Sequence, residues 1–150
     1  DVNRRVTLSQ GKGEKMNIHT YQQAELVRRI WAESHEDALP GLVATGLCIA
    51  NRVKAGWGTW ETILQKHEMW SACVVVPSPR FGDERSELFN RLLARIDGIF
   101  HYREKDITNG GLYYARLGTD VLREWFTTNI SLNPEKHHRV ATVGSITFFD

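Results

Sequence analysis

RIWAESHEDALPG, residues 29–41, reads as the end of one apolar-faced helix and the approach to the next, with a glutamate set into the apolar face. Glu33 follows Ile30 by three residues and Leu26 by seven. Those offsets put it on or beside the stripe of Leu26, Val27, Ile30 and Trp31, not opposite it. A carboxylate buried there is expensive unless it is paired, hydrogen-bonded or protonated. An arbitrary Glu escapes the problem by facing solvent. The spacing argues against that here and makes Glu33 a candidate acid.

Upstream, Thr20-x-x-Gln23 has the form of a capping box and predicts a helix that starts at Thr20. Residues 1–19 form a polar arm with no apolar signal-peptide core, and GKGEK at 11–15 lacks the spacing of a phosphate loop. The arm reads as a flexible or partner-docked tail ahead of one domain over residues 20–150. Downstream, Pro40 and Gly41 break the pattern, and a second helix is predicted over GLVATGLCIANRVKAG, residues 41–56. It is apolar on most sides, Gly41, Gly46 and several alanines suit it to close packing, and Gly56 suits the residue after the cap. Asn51 and Arg52 are large and polar for the end of such a helix. An asparagine there reads as a structural hydrogen-bonder or a ligand contact.

Thr59 is suited to cap a short helix through Ile63 and Leu64. The three valines at 74–76, ahead of Pro77 and Pro79, predict a short strand. Asp83 begins the clearest helical pattern, with Leu88, Phe89, Leu92, Leu93, Ile96, Ile99 and Phe100 at three- and four-residue steps. Asn109-Gly110-Gly111 carries turn chemistry, and RVATVGSITFFD, residues 139–150, has the β-branched content of strand. The sum is an α+β domain, mainly α, with a minor β part.

Composition narrows the function classes. The 150 residues, 41% hydrophobic and 25% charged, describe an ordinary globular domain. No apolar run approaches the ~20 residues of a membrane span. A net charge of +1 gives no general attraction to nucleic acid. Two cysteines make no disulfide framework, and Cys48 reads as a small core residue. The six histidines lack ligand spacing: HEMWS at 67–71 has no second His, and His137 and His138 are adjacent. No metal and no cofactor are expected, and no G-x-S-x-G elbow is present. What remains is carboxylate chemistry with aromatics suited to sugar faces. Glu33 and Asp37 stand at i, i+4 on one helix side, where Asp37 either shapes the surroundings of Glu33 or caps the following turn.

Several motifs occur in a fixed order: Ala32-Glu33-Ser34-His35-Glu36-Asp37, then Gly41-Leu42-Val43-Ala44-Thr45, then Asn51-Arg52-Val53. After them come Met69-Trp70-Ser71, then Gly98, then Asp106-Ile107-Thr108-Asn109-Gly110-Gly111, Tyr114, Trp125 and Val143-Gly144-Ser145-Ile146-Thr147-Phe148. In order and spacing, residues 26–149 resemble the SleB-type cell-wall hydrolase family, the spore-cortex-lytic enzymes and their phage and bacterial relatives. Two departures stand out. The family's Gly-Glu pair is Glu36-Asp37 here, and its late histidine is Ile146, which exchanges no proton.

The resemblance implies a lysozyme-like fold of the goose-lysozyme or lytic-transglycosylase type. It also implies cleavage of the β-1,4 bond between N-acetylmuramic acid and N-acetylglucosamine in peptidoglycan, with Glu33 as the catalytic acid. The site of action would be the cell wall, the periplasm or a phage virion. Glycan strands would be the partner, with virion or wall proteins as candidates for the arm. A glycosidic oxygen leaves only when protonated, the role assigned to Glu33. A hydrolase adds a second carboxylate, for which Asp37 and Asp106 are the candidates, whereas a transglycosylase takes its nucleophile from the muramic C6 hydroxyl. Asn51, Trp70, Ser71, Tyr113 and Tyr114 are the candidates for substrate contact. A non-catalytic glycan-binding domain is the competing class.

Overall fold

The computed structural model describes residues 18–65, 85–117 and 126–150. Among them are three long helices, a short one and a three-stranded antiparallel sheet, an α+β arrangement that is mainly helical. None of the described helices is long and apolar enough to cross a membrane. The strand expected at 74–76 and the helix start expected at Asp83 lie outside the described residues.

Helix α1 (Ile18–Ser34) already contains Ile18 and His19, so Thr20 lies inside it and not at its cap. The Gln23 side chain, expected to reach back to the cap, donates from Nε2 to Asp97 Oδ1 at 3.1 Å. Helix α2 (Leu39–Lys54) takes Pro40 into its first turn, where a missing N–H leaves no bond unmade. Pro40 therefore lies inside this helix instead of preceding it. Its far end closes as expected. Gly56 takes φ +86°, Trp57 N donates to Arg52 O at 3.1 Å, and Gly56 N donates to Val53 O at 3.1 Å, the paired bonds of a Schellman ending.

Thr59 caps helix α3 (Trp60–Gln65): Thr62 N donates to Thr59 Oγ1 at 3.2 Å, and Thr59 N to Thr62 Oγ1 at 2.9 Å. Helix α4 (Ser86–Phe100) is followed, after its cap residue His101, by Tyr102, which holds φ +59° without being glycine, while Arg103 N donates to Gly98 O at 2.7 Å.

The core lies where α1, α2 and α4 meet. Leu26, Ile30, Leu42, Ile49, Leu92 and Ile99 are completely buried there. Gly46 sits at the tightest point: a Cβ built on it would stand 2.7 Å from Ile30 Cδ1 and 3.2 Å from Ile99 Cδ1.

The sheet has the order β1-β3-β2, with β1 (Tyr113–Ala115), β2 (Arg139–Val143) and β3 (Ile146–Phe149). Tyr113 pairs with Phe149 and Ala115 with Thr147, and Val143 pairs with Ile146 across a turn that uses Gly144 at φ +58°. All four residues of β3 are buried. Ile146 and Phe148 pack on Ala44 and Cys48 of α2, while Phe149 meets the ring of Phe126, 5.9 Å away between centroids. The sheet thus closes over α2 next to the end of α1, the region that contains Glu33.

Candidate active site

Glu33 lies in the last turn of α1 and is 8% exposed. The C-terminal turn of a helix is its unfavourable end for an anion, so neither burial nor helix electrostatics explains a carboxylate there. Tyr114 of β1 lies within reach of its charge, with Arg52, Cys48 and Arg116 around the same phenol. Burial first, and then the charge of Glu33, hold the Tyr114 phenol well above its ordinary range, against the opposing pull of Arg52 and Arg116. Tyr114 therefore keeps its proton while it feels the charge of Glu33. Burial also pushes the Cys48 thiol up to about 11, which leaves it an inert core group and not a nucleophile.

Asp37 is spoken for by structural partners. Its carboxylate accepts from Arg116 Nη2 and from Ser145 Oγ, the latter at 3.1 Å. Arg116 Nη2 also donates to Ser34 Oγ at 3.3 Å. Thr45 Oγ1 gives its only proton to Gly41 O at 2.9 Å, so the 2.6 Å contact between Ser34 Oγ and Thr45 Oγ1 carries the serine's proton. Arg85 adds bonds from Nη2 to the carbonyl oxygens of His35 and Asp37. Residues 34–38, which follow Glu33, are thus tied to α2, to Arg85 just before α4, to Arg116 just after β1 and to the β2–β3 turn. Arg116→Met is expected to lower stability by about 1–2 kcal/mol, because it removes the counter-charge of a mostly buried carboxylate. Urea denaturation measures the loss, and Arg116→Lys should recover part of it.

Asp106 and Asn51 belong together. Asp106 Oδ1 accepts from Thr108 N at 2.9 Å and Thr108 Oγ1 at 2.6 Å, and Oδ2 accepts from Gly110 N at 2.9 Å. Asn51 Nδ2 donates to Asp106 Oδ2, Thr108 Oγ1 and Gly111 O at 3.0–3.2 Å. Two amide protons shared among three loop acceptors leave none for Glu33 or a substrate amide. The expectation of a ligand contact from this nitrogen gives way to a structural role: Asn51 fastens the 106–111 loop to α2. Asn109 at φ +53° and Gly110 at φ +81° turn that loop as the Asn-Gly-Gly run foretells.

Asp106 is partly buried, which raises its carboxyl, but bonds from Thr108, Gly110 and Asn51 outweigh this and hold it below the ordinary range. A folded value below the unfolded one gives stability that is fully present above about pH 4. That contribution is lost as pH falls through the folded value. Asp106→Asn is therefore expected to be less stable than wild type at neutral pH, with the gap shrinking in acid. Chemical denaturation across that pH range checks it.

Tyr113 stands between Trp57 and His137, with ring centroids 5.2 and 5.1 Å away. Trp70 and Ser71, and also Trp125, lie outside the described residues. Several residues that shape the site were not singled out from the sequence for it: Ser34, Thr45, Arg85, Arg116, Trp57 and His137. Only Arg52 announced itself, as a large cation at the end of a buried helix. It is 5% exposed, donates from Nε to Leu112 O at 2.7 Å, and sets its guanidinium 5.3 Å from the Trp57 ring and 5.6 Å from the Tyr114 ring. No protein-family model, curated protein or solved structure matches the chain.

Proposed function

We propose that the chain cleaves the β-1,4 MurNAc–GlcNAc bond of peptidoglycan as a lytic transglycosylase of lysozyme-like fold, with Glu33 as its general acid and base. The observation that carries this reading is Glu33 itself, a carboxyl buried at the unfavourable end of α1. The resemblance of residues 26–149 to the SleB-type family implies the substrate class. Glu33 gives its proton to the glycosidic oxygen as the bond from the muramic C1 breaks, and N-acetylglucosamine leaves with a free 4-hydroxyl. The resulting carboxylate takes the proton of the muramic C6 hydroxyl, whose oxygen closes onto C1. No water is consumed, and the product ends in a 1,6-anhydro ring.

The commitments of the acids favour this route over hydrolysis. A hydrolase needs a second carboxylate facing the sugar. Of the two candidates, Asp37 is tied to Arg116 and Ser145, and Asp106 holds its own loop. Ile146, which stands where the resembling family has histidine, packs in the core against Ala44, Cys48 and Phe148. The step written above asks nothing of it. Digestion of purified peptidoglycan, read by mass spectrometry, tests the reading. Anhydro-muramic ends support it, reducing ends replace it with hydrolysis, and no released fragments would leave a glycan-binding or structural domain.

A further inference from the structure

We propose that Trp57, Tyr113 and His137 form a stacking subsite for a distal sugar, so that the chain grips a glycan strand more than one hexose away from the bond cut at Glu33. The proposal rests on the glycan reading of Glu33. A continuous row of rings and one guanidinium joins the two places. His137 meets Tyr113 edge to face at 5.1 Å, Tyr113 meets Trp57 at 5.2 Å, and Arg52 bridges Trp57 to Tyr114, whose phenol feels the charge of Glu33. Arg52 is buried, so it acts as a post that fixes the rings and not as a ligand contact.

Two features distinguish the trio from the fully buried core aromatics. The core aromatics Trp31, Phe89, Phe100, Phe148 and Phe149 are at most 4% exposed, whereas Trp57, Tyr113 and His137 each keep part of their surface open. The trio also pairs flat apolar faces with polar edges. His137 Nδ1 lies 2.8 Å from the main-chain oxygen of Asp150, which can only accept, so in the neutral ring Nδ1 carries the proton and Nε2 is left as an acceptor. A hexose offers what this combination takes: a C–H face for the rings and a rim of hydroxyl donors for the imidazole.

The separation follows from α2. Ser34, next to Glu33, meets that helix at Thr45. Arg52 is seven residues farther, which is two turns or about 11 Å, and Trp57 lies beyond it.

Chito-oligosaccharides from dimer to hexamer, titrated into the Glu33→Gln protein and followed by calorimetry and tryptophan fluorescence, test the subsite. The hexamer is expected to bind at least tenfold more tightly than the dimer. Trp57→Ala and His137→Ala, each made in that background, are expected to weaken hexamer binding about tenfold. Trp57 packs partly on the core, so a melting curve accompanies each variant, and His137→Ala keeps the test alive if Trp57→Ala does not fold. Equal binding of dimer and hexamer, with His137→Ala and a folded Trp57→Ala unchanged, overturns the subsite and leaves the glycan reading standing. No binding at any length, together with no fragments released from walls by wild type, overturns the glycan reading and the subsite with it.

Discussion

Glu33→Gln is expected to stop the release of fragments from purified peptidoglycan, lowering the rate by at least about a hundredfold, the ordinary worth of a positioned acid and base. The substitution is chosen for what it keeps. Glutamine has the same length and shape as glutamate, so the volume filled at the end of α1 does not change. It still carries an oxygen acceptor, and it adds no charge that Tyr114, Arg52 or Arg116 would have to accommodate. What it loses is a transferable proton. Glycan binding and melting temperature should therefore stay near those of wild type while turnover disappears. A melting temperature that falls by many degrees, with cleavage of walls unaltered in the fraction that remains folded, would make Glu33 a structural residue and sink the assignment.

Gly46→Leu is expected to cost about 3 kcal/mol or more of stability, the upper range for overpacking a filled core. The site admits no easy relief. The first added carbon meets Ile30 Cδ1 at 2.7 Å and Ile99 Cδ1 at 3.2 Å, and both isoleucines are completely buried. Gly46→Ala weighs two effects against each other. Alanine favours the helix by about 1 kcal/mol over glycine, and the nearest atom, at 2.7 Å, is the far end of the Ile30 side chain, which yields more readily than backbone. The alanine variant should thus fall within about 1 kcal/mol of wild type, and only the leucine variant should force α1 and α4 away from α2. Urea midpoints for the pair decide it: equal and small losses would mean that the helices already separate at this crossing.

The helices were legible where local chemistry sets them. Gly56 marked the end of α2 because a left-handed residue is needed there, and Thr59 marked a cap because its hydroxyl meets Thr62 three residues on. The start of α1 was misread because Thr-x-x-Gln fits a helix interior as well as a cap, and Gln23 turned out to serve Asp97 of another helix. Tyr102 gave no warning of its left-handed φ, since nothing in a tyrosine asks for one. Of the candidate site, the burial of Glu33 was legible from its offsets to Leu26 and Ile30. The partners of Asp37 were not: Arg116 lies 79 residues away and Ser145 108. Pairings at such range leave no periodic trace in one sequence, and the order of the sheet is hidden for the same reason.

That sheet order has a bearing on how the protein is made. Strand β3 lies between β1 and β2, yet it follows both along the chain. On the ribosome the helices can gather from contacts already in hand, because domains assemble as their segments emerge. Tyr114 and Arg116 must wait, since β1 has no neighbour to pair with until residues 146–149 are translated. A chain that stops short of Ile146 lacks the strand that joins β1 to β2, and so leaves Tyr114 and Arg116 without the sheet that sets them in place.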